Sequence, residues 1–453
     1  MIRFFEWLRK VAFWSLDALK GGPVRKHYRQ IRSVLAAPES EKARKIRQAN
    51  LHRILEHTIQ TVPFYENLRH VSFSLQDFPI VDKQTVRANF EQFRSKTFQK
   101  EKNYMVTTSG STGKPFKILQ NRDKKARNTA DTFFFADRAG YRLGSRLFYL
   151  RLWDKQYQKN KLLTLVQNMA TYSVDDLTDR NLEKLVEELQ SKGPRKSILA
   201  YTSALETVCG YIEQHHQTPL DTQIDSIIAV AEALDNSTKD RVKKCFGTEA
   251  LSRYSNSENG IFAQQSPDDL SGDFEVNWAS YHIEILDLNA DRPAKEGETG
   301  RIIITDLFNY AMPMIRYDTG DVGTMQYDDT RKAVVFTKIE GRKMDMFTNT
   351  KGEYISSHII HHILQFEGID QFQFVEEENG DYVIKMKVLP HYDPNDEERI
   401  RKQYATYFGE DATIRMEYVD EIPLLPSGKR KLVVNKRQGG IPIKAVGETL
   451  VQN

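Results

Sequence analysis

Hydrophobic positions along the chain change period several times, and those changes outline its architecture. Residues 1–16 place Phe4, Trp7, Leu8, Val11 and Trp14 on one side of a helix, with Arg3, Arg9 and Lys10 around it. Residues 24–70 read as helical, with Leu51, Ile54, Leu55 and Thr58 at helical spacing and a break at Val62-Pro63-Phe64-Tyr65. A linking segment reaches residue 104, and Asp123 to Ala139 predicts another helix. From 143 to 250, short apolar runs (Leu147–Leu152, Ser197–Ala200, Ser226–Val230) alternate with helical patterns (Leu182–Gln190, Ala204–Gln214), which predicts βαβ units and a largely parallel sheet. Strand patterns follow at Tyr281–Leu286, Arg301–Thr305 and Ala333–Lys338.

After Glu340-Gly341-Arg342-Lys343-Met344-Asp345 the pattern restarts. A helix at Ser357–Gln365, a strand-turn-strand at Phe372–Val388 around Asn379-Gly380, a helix at Glu397–Phe408 and a strand at Thr413–Val419 make one compact α+β unit. The expected division is therefore an amphipathic helix over 1–23, a large domain over 24–341 and a small domain over 342–453.

Composition narrows the function classes. Apolar residues make up 40% and charged residues 28%, as in globular enzymes, and a net charge of +3 gives no general case for nucleic acid. Cys209 and Cys245 are too few and too far apart for a metal knuckle or a disulfide scaffold, and a reducing compartment fits them. No apolar run approaches the roughly 20 residues that span a bilayer, so the expected location is the cytoplasm. Packing on the protein's own surface is the simpler expectation for the N-terminal helix. Peripheral contact with the inner face of the membrane through residues 1–20 is the alternative. His358, His361 and His362 share a helical face but lack an evident fourth ligand, so exposed histidines rather than zinc are expected.

Residues 107–114, Thr-Thr-Ser-Gly-Ser-Thr-Gly-Lys, carry the clearest chemistry. Small residues let backbone N–H groups approach an anion, hydroxyls add donors and the lysine adds countercharge. Thr108 and Pro115 stand where a Walker A motif has glycine and Ser/Thr, and Pro115 argues for an extended continuation instead of a helix. A plain Ser/Thr/Gly surface turn is the competing reading.

Four further stretches gain meaning beside it: Ile228 to Leu234 (IAVAEAL), Arg253 to Gly260 (RYSNSENG), Met312 to Asp321 (MPMIRYDTGD) and Pro423 to Lys431 (PLLPSGKRK). In this order and spacing the five stretches resemble the adenylate-forming superfamily of acyl-CoA ligases, over roughly residues 50–437. The phrases PMIRYDTGD, YTSAL (201–205) and VPFYENL look most like the branch of phenylacetate-CoA ligase, CapK-type proteins and coenzyme F390 synthetase. Ser255 and Met344 depart from that pattern.

The resemblance implies an α/β fold: a large multi-sheet N-terminal domain with mixed βαβ layers, and a small mobile α+β C-terminal domain. It implies ATP with Mg²⁺, a carboxylic acid substrate, and CoA, a carrier-protein thiol or an amine as acceptor. By the same carry-over, Ser109, Gly110, Ser111, Thr112, Gly113 and Lys114 would cradle the β- and γ-phosphates. Glu258 would help hold Mg²⁺, Ser257 would reach the α-phosphate, and Tyr254 would stack on adenine beside Ala231 and Glu232. Asp321 would accept from the ribose hydroxyls, Arg342 would reach the same ribose, and Lys429 would bridge the attacking carboxylate and the α-phosphate. The acid pocket is expected around Phe148–Trp153, Tyr201–Leu205, Asn256 and Asn259–Ile261. CapK-type relatives link the reaction to surface polysaccharide biosynthesis. The alternatives are AMP transfer to an acceptor, as in F390 synthetase, and a catalytically degenerate membrane-associated scaffold.

Overall fold

The computed structural model describes residues 2–69, 74–108, 116–153, 161–193, 195–269, 271–342, 346–352, 354–355, 357–423 and 431–437. The chain divides into two compact units, with the first crossing from one to the other between Gly341 and Arg342.

The larger unit opens with helices α1 (Ile2–Leu19), α2 (Pro23–Leu35), α3 (Glu41–Thr61) and α4 (Lys83–Ala88). The helical pattern over 24–70 is thus two helices and a 3₁₀ segment, Pro63–Leu68. Proline cannot continue a helix, and Pro38 lies in the break; Ser40 then starts α3 by accepting the Ala43 N–H at 3.3 Å. The segment expected only to link also holds α4, whose N-cap Asp82 accepts the Thr85 N–H at 2.8 Å.

A hairpin follows, β1 (Tyr104–Thr108) antiparallel to β2 (Phe116–Gln120), and then α5 (Arg122–Arg138). Next come β3 (Arg146–Arg151), α6 (Lys161–Val166), β4 (Met169–Ser173), α7 (Asp179–Gln190), β5 (Lys196–Tyr201), α8 (Thr202–His215), β6 (Ile224–Val230), α9 (Asn236–Phe246) and β7 (Ala250–Asn256). The antiparallel part is β8 (Gly260–Gln265), β9 (Phe274–Val276), β10 (Tyr281–Leu286), β11 (Thr299–Asp306), β12 (Tyr317–Asp328) and β13 (Ala333–Arg342).

These strands, apart from the β1–β2 hairpin, form one eleven-stranded sheet in the order β10-β11-β12-β13-β9-β8-β7-β6-β5-β3-β4. Strands β4, β3, β5, β6 and β7 pair in parallel, as alternating strand and helix require, and β7 turns into antiparallel β8. The near-continuous apolar run of β6 fits a strand covered on both faces. One core packs α7, α8 and α9 against the parallel half, and a second packs α2, α3 and α5 against the antiparallel half. Cys209 and Cys245 are free thiols buried in the first of these.

Among the described residues, helix α1 packs through one edge. Phe13 and Trp14 meet Phe133 at 4.8 and 6.3 Å, the Glu6 carboxylate accepts the Arg195 N–H at 3.1 Å, and buried Asp17 accepts the Val24 and Arg25 N–H groups at 3.0 Å each.

The smaller unit contains β14 (Phe347–Thr348), β15 (Tyr354–Ile355), β16 (Ile369–Glu376), β17 (Tyr382–Val388), α10 (Asp396–Phe408), β18 (Ile414–Tyr418) and β19 (Val433–Asn435). Its four-stranded sheet runs β18-β17-β16-β19, with Phe374, Ile384, Ile400, Tyr404 and Phe408 in the core. Ser357–Gln365 winds as a 3₁₀ helix, and His362 Nδ1 lies 2.7 Å from the Tyr407 hydroxyl.

Candidate active site

In an open α/β sheet, the carboxyl ends of the parallel strands are where ligands bind. Here β5, β6 and β7 deliver Tyr201–Leu205, Ala231–Glu232 and Tyr254–Glu258 to that edge, with Tyr201 beside Val230 in register. Ala231 adopts φ +73, a left-handed conformation rare for alanine, which turns the chain sharply out of β6. Glu232 then fastens the turn to α8, its carboxylate accepting the Ser203 N–H at 2.8 Å and its carbonyl facing the Thr202 hydroxyl at 3.3 Å. A carboxylate at a helix N-terminus also meets the positive end of the helix dipole.

The turn between β7 and β8 carries Ser257, exposed, and Glu258 and Asn259, both buried. Several groups fix its backbone. The Asn259 N–H donates to Asn256 Oδ1 at 2.8 Å, and the Tyr281 hydroxyl donates to the Asn259 carbonyl at 2.6 Å. Gln120, at the end of β2, donates to the Glu258 carbonyl at 2.9 Å. Gly260 at φ +120 leaves no room for a side chain, because a Cβ would come within 2.9 Å of both the Tyr281 hydroxyl and Asn128 Oδ1. Beneath Tyr281, fully buried Lys124 pairs with Asp306 at 2.6 Å and reaches the Tyr281 hydroxyl at 3.2 Å. Burial, followed by the Asp306 and Asp131 charges, pushes that phenol well above its usual range, so it remains a donor.

The Glu258 carboxylate takes two partners on one oxygen: the buried Tyr317 hydroxyl at 3.0 Å and Lys83 Nζ at 2.9 Å. Lys83 opens α4, and a backbone stitch holds it there, with the Val81 N–H donating to the Arg316 carbonyl at 3.1 Å and the Asp318 N–H to the Val81 carbonyl at 2.8 Å. Its ammonium also stands 5.9 Å from the ring of Phe116, the first residue of β2. Burial and then the Glu258 charge raise the Tyr317 hydroxyl well above the usual tyrosine range.

Further along β12, Asp321 Oδ2 accepts from the Tyr254 hydroxyl at 2.8 Å, and the Asp321 N–H donates to Thr319 Oγ1 at 3.1 Å. Gly320, at φ +78, supplies the tight turn before it. Tyr254 packs its ring against Phe262 at 5.2 Å and Phe336 at 6.1 Å, and burial, then Asp321, raises its hydroxyl well above normal. Arg316 of the MPMIRYDTGD stretch is structural: its guanidinium pairs with Glu284 at 3.2 Å and donates to the Phe78 carbonyl at 3.3 Å.

The larger unit therefore brings Ala231, Glu232, Tyr254, Ser257, Glu258 and Asp321 to the edge where β5, β6 and β7 end. Arg342 is the last residue of β13. Ser109, Gly110, Ser111, Thr112, Gly113, Lys114 and Lys429, with the hinge candidates Met344 and Asp345, lie outside the described residues. The loop containing the first six joins Thr108 to Phe116, the facing ends of an antiparallel hairpin, so an extended strand and not a helix follows Pro115. Lys83, Tyr317, Gln120 and Tyr281 were not legible as site residues. Lys83 sat in an apparent linker, Gln120 and Tyr281 carried no motif of their own, and Tyr317 lay within the MPMIRYDTGD stretch without a role assigned to it.

Among the described residues no group of three or more His, Cys, Asp or Glu side chains is placed to hold a metal ion. Glu258, a single buried carboxylate with a lysine as countercharge, suits a divalent cation that keeps its waters and arrives with a polyphosphate.

The chain is similar to several known proteins. The CapK C-terminal domain model matches residues 346–436. Protein CapK of Staphylococcus aureus is 22% identical over 374 residues, which is 80% of each chain. Phenylacetate-coenzyme A ligase of Pseudomonas putida is 24% identical over 342 residues, covering 70% of this chain and 74% of the relative. The structure of 2-hydroxyisobutyryl-CoA ligase in the postadenylation state with 2-HIB-AMP superposes with a TM-score of 0.73 at 16% identity, covering 90% of this chain and 92% of that one. The chain thus has the fold of the adenylate-forming CoA ligases and is similar in sequence to CapK and phenylacetate-CoA ligase, its C-terminal part matching the CapK C-terminal domain.

Proposed function

We propose that this protein is an ATP-dependent, AMP-forming ligase that activates a carboxylic acid and passes the acyl group to a thiol or amine, with CoA the default acceptor. In the first step a carboxylate oxygen of the acid attacks the α-phosphorus of ATP. The bond from that phosphorus to its bridging oxygen breaks, and acyl-AMP and pyrophosphate form. In the second step the acceptor's sulfur or nitrogen attacks the acyl carbon, AMP leaves, and the acceptor's proton is released. Because the substrate supplies the nucleophile, the protein needs only to position the reactants and offset charge.

The observation that carries this reading is the pair of bonded groups at the strand ends, Tyr254 with Asp321, and Glu258 with Tyr317 and Lys83. Tyr254 would stack on adenine beside Ala231 and Glu232, and Asp321 would accept from the ribose hydroxyls. Ser257, exposed on its turn, would donate to the α-phosphate. Glu258 would ligate Mg²⁺, which supplies countercharge to the polyphosphate, and Lys83, released from the carboxylate, would remain as a second cation over the phosphates. Residues 109–114 would cradle the leaving pyrophosphate, Arg342 would reach the ribose, and Lys429 would bridge the reacting carboxylate and the α-phosphate. The CapK-type resemblance points to surface polysaccharide assembly as the setting, with the acid and acceptor drawn from it.

Hydroxylamine trapping tests the reading. With ATP, Mg²⁺ and a panel of carboxylic acids, at least one acid should give an acyl hydroxamate with stoichiometric AMP and pyrophosphate. Formation of ADP, or AMP attached to an acceptor with no acid present, would overturn it.

A further inference from the structure

Helix α1 presents an apolar face that the packing of the described residues does not cover. At 100° per residue, ten positions of α1 fall consecutively over about half its circumference, and all but Ser15 are apolar. Six of them, Phe4, Phe5, Trp7, Leu8, Leu16 and Leu19, are each 44–84% exposed. The helix cannot roll to bury them, because its other edge is held by Glu6, Phe13, Trp14 and Asp17. Soluble proteins rarely display so large a contiguous apolar surface without a partner for it.

The charge around this face indicates what the partner is. Residues 1–35 contain eight Lys and Arg against two acids, a net +6 within a chain whose total is +3, so the other 418 residues carry a net −3. Both acids point inward, Glu6 to the Arg195 N–H and Asp17 to the start of α2. What borders the apolar face is therefore basic, Lys10 and Lys20 being exposed. Between α1 and α2 lies a groove of about 350 Å³ lined by Trp7, Lys10, Val11, Trp14, Ala18 and Arg25, in which the Arg25 guanidinium sits 5.0 Å from the Trp14 ring. Aromatic walls with two cations suit the boundary where acyl chains meet anionic headgroups. No described helix is long and apolar enough to cross a membrane. At 18 residues α1 is about 27 Å long, enough to lie in the interface plane.

We propose that α1 docks this protein on an anionic lipid surface, its apolar face among the upper acyl chains and its lysines at the headgroups. The proposal does not depend on the ligase reading, since binding is measured without nucleotide or acid.

The test is co-sedimentation of the full chain with phosphatidylcholine vesicles, with and without phosphatidylglycerol, at low and high salt. Phosphatidylglycerol should strengthen binding at least about tenfold, an advantage that salt removes, because each basic residue near an anionic surface contributes roughly fivefold. Trp7 fluorescence should shift to the blue on binding. The triple variant Phe4→Ser/Trp7→Ser/Leu8→Ser should lose about tenfold or more in partition while its unfolding temperature holds, since these side chains are exposed. Lys10→Glu/Lys20→Glu, which leaves the apolar face intact, should lose the phosphatidylglycerol advantage. Wild type and triple variant binding alike, or vesicles with and without phosphatidylglycerol binding alike, would overturn the proposal. A dimer of the full chain that the triple variant converts to monomer would also overturn it, assigning the face to a second copy.

Discussion

Substituting either member of the Lys83–Glu258 pair should have unequal consequences, and the inequality follows from burial. The carboxylate is almost fully buried, whereas the lysine side chain is 37% exposed, with Nζ 2.9 Å from Oε1. In Lys83→Met the carboxylate stays in place, keeps the Tyr317 hydroxyl at 3.0 Å and loses its countercharge. Stranding one partner of a buried pair costs ~3–5 kcal/mol, and the retained donor offsets ~1 kcal/mol of that, leaving a loss of about 2–4 kcal/mol. In Glu258→Gln the buried charge itself goes, the amide oxygen can still accept from Tyr317, and Lys83 can turn toward water, so the expected loss is about 1 kcal/mol or less. The double variant should recover most of the Lys83→Met deficit, giving a coupling of ~1–3 kcal/mol. Urea unfolding of the four proteins without nucleotide, followed by fluorescence, measures the cycle. A Lys83→Met protein as stable as wild type, or Glu258→Gln as the costlier single change, would refute the argument that the buried carboxylate controls this pair.

The remaining predictions concern other parts of the larger unit. Tyr254→Phe removes the hydroxyl that holds Asp321 at 2.8 Å; loss of a hydrogen bond to a charged group, ~1.5–3 kcal/mol, should raise KM for ATP on the order of tenfold or more with kcat much less affected, read from initial rates. Burial raises the Glu206 carboxyl to about 7 against the Thr238 hydroxyl at 3.0 Å, and nearby Asp235 and Glu232 add to the rise. The folded state therefore binds a proton there that the unfolded chain has lost, and stability should fall by on the order of 2 kcal/mol as pH rises from about 4.5 to about 7. Glu206→Gln should remove that slope in melts across the range. Lys124→Met strands the buried Asp306 carboxylate at 2.6 Å and should cost ~3–5 kcal/mol in chemical unfolding. Gly144→Ala places a Cβ 2.2 Å from the Glu6 carbonyl at φ +101, so α1 should detach and be cut first in limited proteolysis, at a cost of ~1–3 kcal/mol.

What the sequence made legible was local. The apolar runs read over 143–250 correspond to β3, β5 and β6 and the helical patterns to α7 and α8, because parallel strands need crossovers and each strand's apolar run is short and bounded, whereas β4, β7, α6 and α9 were not read. Pro115 argued against a helix running on directly from Lys114, and β2 follows it. The residues that organise the site were harder to find, because their partners lie far away in the chain. Lys83 is an ordinary helix-start lysine until Val81 pairs with the entrance to β12, and Tyr281 is a strand residue until its hydroxyl meets the Asn259 carbonyl. The helical reading over 24–70, with its break at Val62–Tyr65, missed a second break at Pro38 and Ser40, where a breaker and a cap lie within a pattern whose apolar spacing continues past them. The apolar stripe of α1 was visible from the start, but which edge would face the protein was decided by Phe13, Asp17 and Phe133 together.

The central claim, that the cluster at the ends of β5, β6 and β7 supports adenylation of an acid, is tested most directly by isotope exchange between pyrophosphate and ATP. Carboxylic acids would be supplied one at a time, with wild type beside Asp321→Ala and Glu258→Gln. Exchange should require both Mg²⁺ and one class of acid, and should fall about a hundredfold or more in each variant. Exchange that proceeds without any acid, or that survives both substitutions, would contradict it.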